Sequence, residues 1–238
     1  MSTIKNVYEY IRPLIIWLGL LELTCLGYWL LGGQEVSTGF KVIAGGWIAA
    51  MLVVLVVIIR LAKAGVYWKY THKRSNLLGL ATVVLISIVF FSSTETARDG
   101  VRMAVNQVPD VELIAFHVLR LLAIGTVIKY LQKELPLHFI VLGTVPDLLF
   151  ALSAVVLLAT DAGASLSDSF FIAWHGVGIA VFLGAGISMF FSVPSNMRIF
   201  HDKPDTSIVF LFPMSLAPNY TVPFFMLAHM FAIVKLVA

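Results

Sequence analysis

The chain has 238 residues, 60% of them hydrophobic and 12% charged, with a formal net charge of +3. Soluble domains carry about 25% charged residues, so a water-soluble domain of this length would lack a polar coat, and lipid must solvate much of its surface. The single cysteine, Cys25, excludes an intramolecular disulfide and a cysteine-based zinc site; the basic residues lie in short runs between apolar segments, a topology signal that offers no nucleic-acid patch.

Seven apolar segments reach or approach the length of about 20 residues that a span needs: roughly 13–31, 42–61, 77–91, 111–130, 137–159, 170–193 and 219–237. The alternation of a membrane barrel is absent, so all seven read as helices. The expectation is an all-α fold, a single integral-membrane domain over 1–238. Lys5 and Arg12 precede the first segment as they would a signal peptide, yet the apolar run continues from Pro13 to Leu31 without a small-x-small cleavage pattern. It reads as a retained helix.

Charge sets the expected orientation. With the N-terminus in the cytoplasm, Lys5, Arg12, Arg60, Lys63, Lys69, Lys73, Arg74, Lys129, Lys133, Arg198 and Lys203 lie inside, eleven in all, against four outside, Lys41, Arg98, Arg102 and Lys235. That imbalance predicts a cytoplasmic N-terminus and a periplasmic C-terminus in a bacterial-type inner membrane. Trp17, Trp29, Trp47, Trp68 and Trp174 fall near predicted span ends, as an interfacial belt requires. The stretch Ser92–Asp110 reads as a polar outer loop. The sixth segment repeats Gly176, Ala180, Gly184 and Ser188, a small-residue face suited to close helix packing. In the last segment Pro213, Pro218 and Pro223 predict a broken element: a short piece over Ser207–Leu216, a turn near Ala217–Tyr220, then a helix.

Arg120 and Asp147 are the residues the rest is organised around. The fourth and fifth segments form a hairpin centred between Lys133 and Glu134. Arg120 and Asp147 lie equally far from that centre, about 20 Å at 1.5 Å per residue, and therefore level near the bilayer midplane. A charge there costs roughly 2.5–3.5 kcal/mol unless it meets a partner or a cavity. Glu22, central in its own span, is a second acid for the same site. His117 shares a helix face with Arg120, and His175 (next to Trp174) and His229 come from two further helices. These seven residues form the candidate ligand-binding or proton-coupling site. Pro146 cannot donate a hydrogen bond to Leu142, so the fifth helix is expected to open near Gly143–Asp147.

Two readings follow. In the first, the protein binds or transports a small polar or anionic ligand, or protons: Arg120 holds the anion and Asp147 exchanges a proton. In the second, the histidines hold haem or a metal for redox or hydrolytic chemistry, although one histidine per helix, without an HxxxH or HExxH pair, is a weak signature. A third class, a structural subunit of a larger membrane complex, stays open. The cofactor is undetermined at this stage.

The runs HVLRLLAIG, LPLHF…VPDLLFALSA, FIAWHGVGIAVFLGAGIS and VPFFMLAHMF, from about Phe116 onward, resemble the C-terminal half of a family of uncharacterised bacterial multi-pass inner-membrane proteins. The resemblance places Arg120, Asp147, Trp174, Pro218, Pro223 and His229 at that family's marked positions, while His175 replaces its usual Asn and Pro146 a common Gly. It implies a membrane fold and no particular activity. A retinal protein is excluded, since Lys235 is too near the end of its helix to form the Schiff base. Zinc hydrolases related to ceramidases share the seven-helix plan, but their last helix carries an HxxxH pair where this chain has only His229.

Overall fold

In a computed structural model, which describes residues 14–69, 76–160 and 167–237, the regular elements among the described residues are all helical. The longer ones, in chain order, are α1 (Leu14–Gly32), α2 (Thr38–Lys63), α3 (Asn76–Ser92), α4 (Glu95–Asn106), α5 (Asp110–Leu131), α6 (Leu137–Ala159), α7 (Asp168–Ser192) and α8 (Ala217–Leu236). Six of these are long and apolar enough to cross a membrane: α1, α2, α5, α6, α7 and α8. The third expected span, α3, has only 17 residues, about 25 Å at 1.5 Å per residue. The chain then turns by 108° between Ala81–Ser92 and Glu95–Asn106.

That turn corrects the reading of Ser92–Asp110 as a loop. Thr94 caps α4 by accepting the Ala97 amide at 3.1 Å, and Glu95 in the first turn suits the positive end of the helix. The segment is polar on average, which hides its periodicity, but Ala97, Gly100, Ala104 and Val105 recur on one buried face. Gly100 is required there, because a Cβ would come within 2.2 Å of the Phe40 ring. Lying across α1, α2, α3 and α8, the helix closes one end of the bundle.

The most buried helix is α8: 67% of its window is enclosed, against 44% or less in the other five spanning candidates. This explains its sequence. Asn219, Tyr220, Thr221 and His229 are all buried, and the first three bond to backbone carbonyls: Asn219 to Ser215 (2.7 Å), Tyr220 to Met51 (3.1 Å) and Thr221 to Ala217 (3.2 Å). Where a turn was expected at Ala217–Tyr220 the chain is already helical, a π-turn over Ala217–Thr221 with Pro218 in its first positions. A proline costs little there, because the first amides of a helix have no acceptor within it. Before it come a 3₁₀ turn, Thr206–Phe210, and the turn around Pro213.

The tryptophan belt also needs correction. Trp17 is exposed, but Trp29, Trp47 and Trp174 are buried. Each donates its indole N–H to an interior acceptor, respectively Glu112 (3.0 Å), the Ser87 hydroxyl (2.9 Å) and the Ser153 hydroxyl (2.9 Å). A buried Trp needs such a partner, and the span-end argument overlooks it. Lys5, Arg12, Lys73, Arg74 and Ala238, with the side chains of Trp68 and Lys69, lie outside the described residues.

Candidate functional site

Two departures from regular α-helix shape the site. In α5, residues His117–Ala123 form a 3₁₀ stretch. With three residues per turn, His117 and Arg120 stand one directly above the other. In α6, Ile140–Thr144 form a π-turn and the α-helix resumes at Val145, with Pro146 in its first turn. The irregularity expected at Gly143–Asp147 thus begins a few residues earlier. Its effect is a close approach of α7: a Cβ on Gly184 would lie 2.2 Å from the Leu142 carbonyl oxygen, and one on Gly143 2.9 Å from the Ala185 Cβ. The carbonyl that Pro146 cannot serve is the one pressed against a glycine. Of the small-residue face on α7, Gly184 is therefore used for packing. Gly176 has nothing within 4 Å of an added Cβ.

Arg120 and Asp147, expected level with each other, form an ion pair. The Arg120 Nε donates to Asp147 Oδ1 at 2.6 Å, and Nη2 lies 2.5 Å from the same oxygen. Nη1 turns the other way, donating to the Gly178 carbonyl (3.3 Å) and contacting His229 Nε2 (3.0 Å). The guanidinium lies between two rings, with its Cζ 4.4 Å from the Phe150 centroid and 4.2 Å from that of Phe182. Such cation–π contacts strengthen when desolvated. The two partners differ in access: the Arg120 side chain is 0% exposed and that of Asp147 19%.

That access leads into a cavity of about 160 Å³ whose wall includes both Arg120 and Asp147. The remaining wall is almost wholly apolar, with Leu18 of α1, Leu122 of α5, Phe182 of α7 and Phe225 of α8 among it. Its polar exceptions are Thr126 and Thr221. Thr126 donates to the Ala123 carbonyl (2.7 Å) and meets the Thr144 hydroxyl of α6 at 2.6 Å.

Behind Arg120, on the side away from the cavity, the three histidines converge. One ring nitrogen from each of His117, His175 and His229 lies within 4.8 Å of those of the other two, and all three residues are fully buried. His229 Nδ1 is 2.8 Å from His175 Nδ1. The rings of His117 and His229 stack at 3.9 Å, 12° from parallel. Phe150, Phe171, Trp174 and Phe225 pack around them with centroids 4.3–6.4 Å from a histidine or from each other. The enclosed space suits an ion; a porphyrin would require this aromatic shell to open. Trp174, expected in the site, is part of that shell.

Glu22 is not brought into this constellation. It is 0% exposed, neither carboxylate oxygen has a hydrogen-bond partner among the described residues, and no described contact joins it to Arg120, Asp147 or the histidines. Gly19, one turn before it on α1, lies under Tyr220, whose Cδ1 would be 2.8 Å from an added Cβ. Mid-span position in the sequence gave depth but not direction around the helix. Sequence reasoning also missed Gly178. A Cβ there would sit 2.2 Å from His229 Cε1 and 2.7 Å from Phe150 Cζ, so this glycine makes room for the histidine while its carbonyl receives Arg120. No motif marks it: its spacing differs from the repeated small-residue face.

Residues 76–237 match the family described as Domain of unknown function (DUF8737), a stretch that contains Arg120, Asp147, Trp174 and the three histidines and leaves out Glu22. The chain belongs to that family. No match is found among curated proteins or among solved structures.

Proposed function

We propose that this member of the DUF8737 family binds a small acid in the cavity beside Arg120 and Asp147, as a carrier or receptor within the membrane. The observation that carries the reading is that the cavity wall includes both members of the buried pair, with Asp147 partly exposed and Arg120 fully covered. An ion pair serving only to lock helices has no need of a cavity at its acid. The apolar remainder of the wall favours an acid with a short hydrocarbon body. Its carboxylate, or a group of like charge, takes the place of Asp147 on the guanidinium. Asp147 then gives up its partner and takes a proton, so binding strengthens as pH falls, and Asp147→Asn abolishes that dependence.

The bilayer orientation that goes with this reading has the N-terminus in the cytoplasm and the C-terminus in the periplasm of a bacterial-type inner membrane. Its support is the excess of Lys and Arg in alternate loops. Cysteines placed near Lys73 in a Cys25→Ser background should react only with reagent supplied from the cytoplasmic side, and a tag after Ala238 only from the other. A cytoplasmic tag would remove one crossing from the count.

The function itself is tested by thermal unfolding of the detergent-solubilised protein with hexanoate and, separately, with hexanamide. A ligand that binds only the folded state raises the unfolding temperature with its concentration. Hexanoate should stabilise and hexanamide should not, and the double variant Arg120→Met, Asp147→Asn should respond to neither. Equal effects of acid and amide, or none from a wider set of small carboxylates and phosphates, would leave the pair as a helix lock in a structural subunit.

A further inference from the structure

The hydrogen-bond directions around His229 fix its protonation pattern. A guanidinium can only donate, so the Arg120 Nη1 contact at 3.0 Å makes His229 Nε2 the acceptor. A neutral His229 then carries its proton on Nδ1 and donates it to His175 Nδ1 at 2.8 Å. That leaves the proton of His175 on Nε2, which is buried without a partner. Both nitrogens of His117 are likewise buried without a hydrogen-bond partner among the described residues. The chain of donors running from Arg120 therefore ends on groups with unmet bonding capacity, in a place where each such group costs free energy. A bound ion would meet that need.

We infer that His117, His175 and His229 form a site for a divalent transition-metal ion of the zinc class, and that Arg120 controls it by occupying His229. The donor set decides the class: three imidazoles, with no thiolate or carboxylate among them, suit zinc and its neighbours rather than magnesium or calcium. With metal–nitrogen bonds of about 2.0–2.1 Å, tetrahedral ligand nitrogens lie about 3.3 Å apart. Here one ring nitrogen from each histidine lies within 4.8 Å of the others, and His175 Nδ1 is 2.8 Å from His229 Nδ1, a spacing that modest ring movements convert to the required one. Three protein ligands leave the fourth position for water or an anion.

Control by Arg120 follows whichever nitrogen of His229 ligates. If Nε2 holds the ion, the lone pair that now accepts from Arg120 is the one needed. If Nδ1 holds it, the ring proton moves to Nε2 and points at a guanidinium N–H. Metal-ligating histidines ordinarily donate their second nitrogen to an acceptor; here that nitrogen faces a donor that is also a cation. Metal binding and the Arg120–His229 contact thus exclude each other, and Arg120 must withdraw toward Asp147 when the ion enters. The inference does not rest on the acid-binding reading, although both engage Arg120.

The test is zinc titration of tag-free, chelator-treated protein in detergent, with Co²⁺ as a spectroscopic stand-in. Wild-type protein should bind one Zn²⁺ per chain, and Co²⁺ should give the ligand-field bands of a tetrahedral site that Zn²⁺ then displaces. His175→Ala should lose both. The double variant Arg120→Met, Asp147→Asn, which leaves no lone charge, should bind Zn²⁺ at least about tenfold more tightly, the scale on which groups around metal ligands act. Asp147→Asn alone, which keeps Arg120, should show no such gain. If His175→Ala does not fold, the comparison of wild type with the double variant still decides the matter. No stoichiometric zinc in either protein overturns the site; equal or weaker affinity in the double variant overturns the control by Arg120. Since no organic acid is present, a protein that takes up zinc but ignores hexanoate fails only the carboxylate-binding reading.

Discussion

Asp147 and Glu22 are both acids in the middle of a membrane-length helix, yet the surroundings of the two have little in common. Asp147 has a guanidinium on one side and a cavity on the other. Glu22 is sealed, with neither oxygen bonded. The difference comes from the neighbouring helix. Asp147 belongs to a tight hairpin whose other arm carries Arg120 at the same depth, and the 3₁₀ stretch of α5 turns that arginine toward α6. Glu22 lies near enough to Tyr220 of α8 to act on its hydroxyl, and among the described residues no cation pairs with it. A carboxyl at mid-helix is therefore paired only where an adjacent helix delivers a complementary group in register.

The largest effect that would sharpen this contrast is expected from Arg120→Met alone. It strands Asp147 beside a largely apolar wall and should cost about 3–5 kcal/mol in denaturant unfolding, the loss typical when one partner of a buried pair is removed. The double variant with Asp147→Asn should recover a large part. If the two substitutions prove additive, the pair contributes no coupling and the contrast with Glu22 collapses.

Next in size are the glycines that give the site its room. Gly178→Ala forces a methyl into His229 and Phe150, and Gly184→Ala forces one into the Leu142 carbonyl; each should cost about 1–3 kcal/mol as overpacking. Gly176→Ala, which meets nothing within 4 Å, should be close to neutral in the same unfolding series. Comparable losses at all three positions would mean that the packing of α7 against α6 and α8 is not the one described.

The smallest effect is expected at Glu22. Replacing it by Met removes two buried oxygens without partners and should raise stability by about 1 kcal/mol or more. A clear loss of stability on Glu22→Met would contradict the picture of an unpartnered carboxyl.

Much of this was legible in the sequence, for definite reasons. The all-helical plan with several membrane-length helices follows from apolar length, and the Arg120–Asp147 register follows from counting along a hairpin at a fixed rise per residue. His117 and Arg120 shared a face under either helical period, so the 3₁₀ stretch tightened an alignment already present. Other features depend on rotation about the helix axis or on averages over a segment. The isolation of Glu22 and the interior role of Trp47 and Trp174 need the azimuth of each helix, which no single apolar span encodes, whereas His117, His175 and His229, grouped from three helices, do converge. Helix α4 was hidden because its charged face balances its buried one in any averaged measure. Gly178 is visible only beside His229, 51 residues further along.

The claim that an incoming acid takes Arg120 from Asp147 is tested most directly by infrared difference spectroscopy on ¹³C-carboxyl hexanoate binding. The isotope moves the ligand's own bands away from those of the protein. Binding should bring up the carbonyl band of a protonated carboxylic acid in wild-type protein, with hexanoate remaining ionised, and the band should be missing in Asp147→Asn. Saturable binding with no protonated-acid band in the wild type would contradict the account, because Arg120 would then have kept Asp147 as its partner throughout.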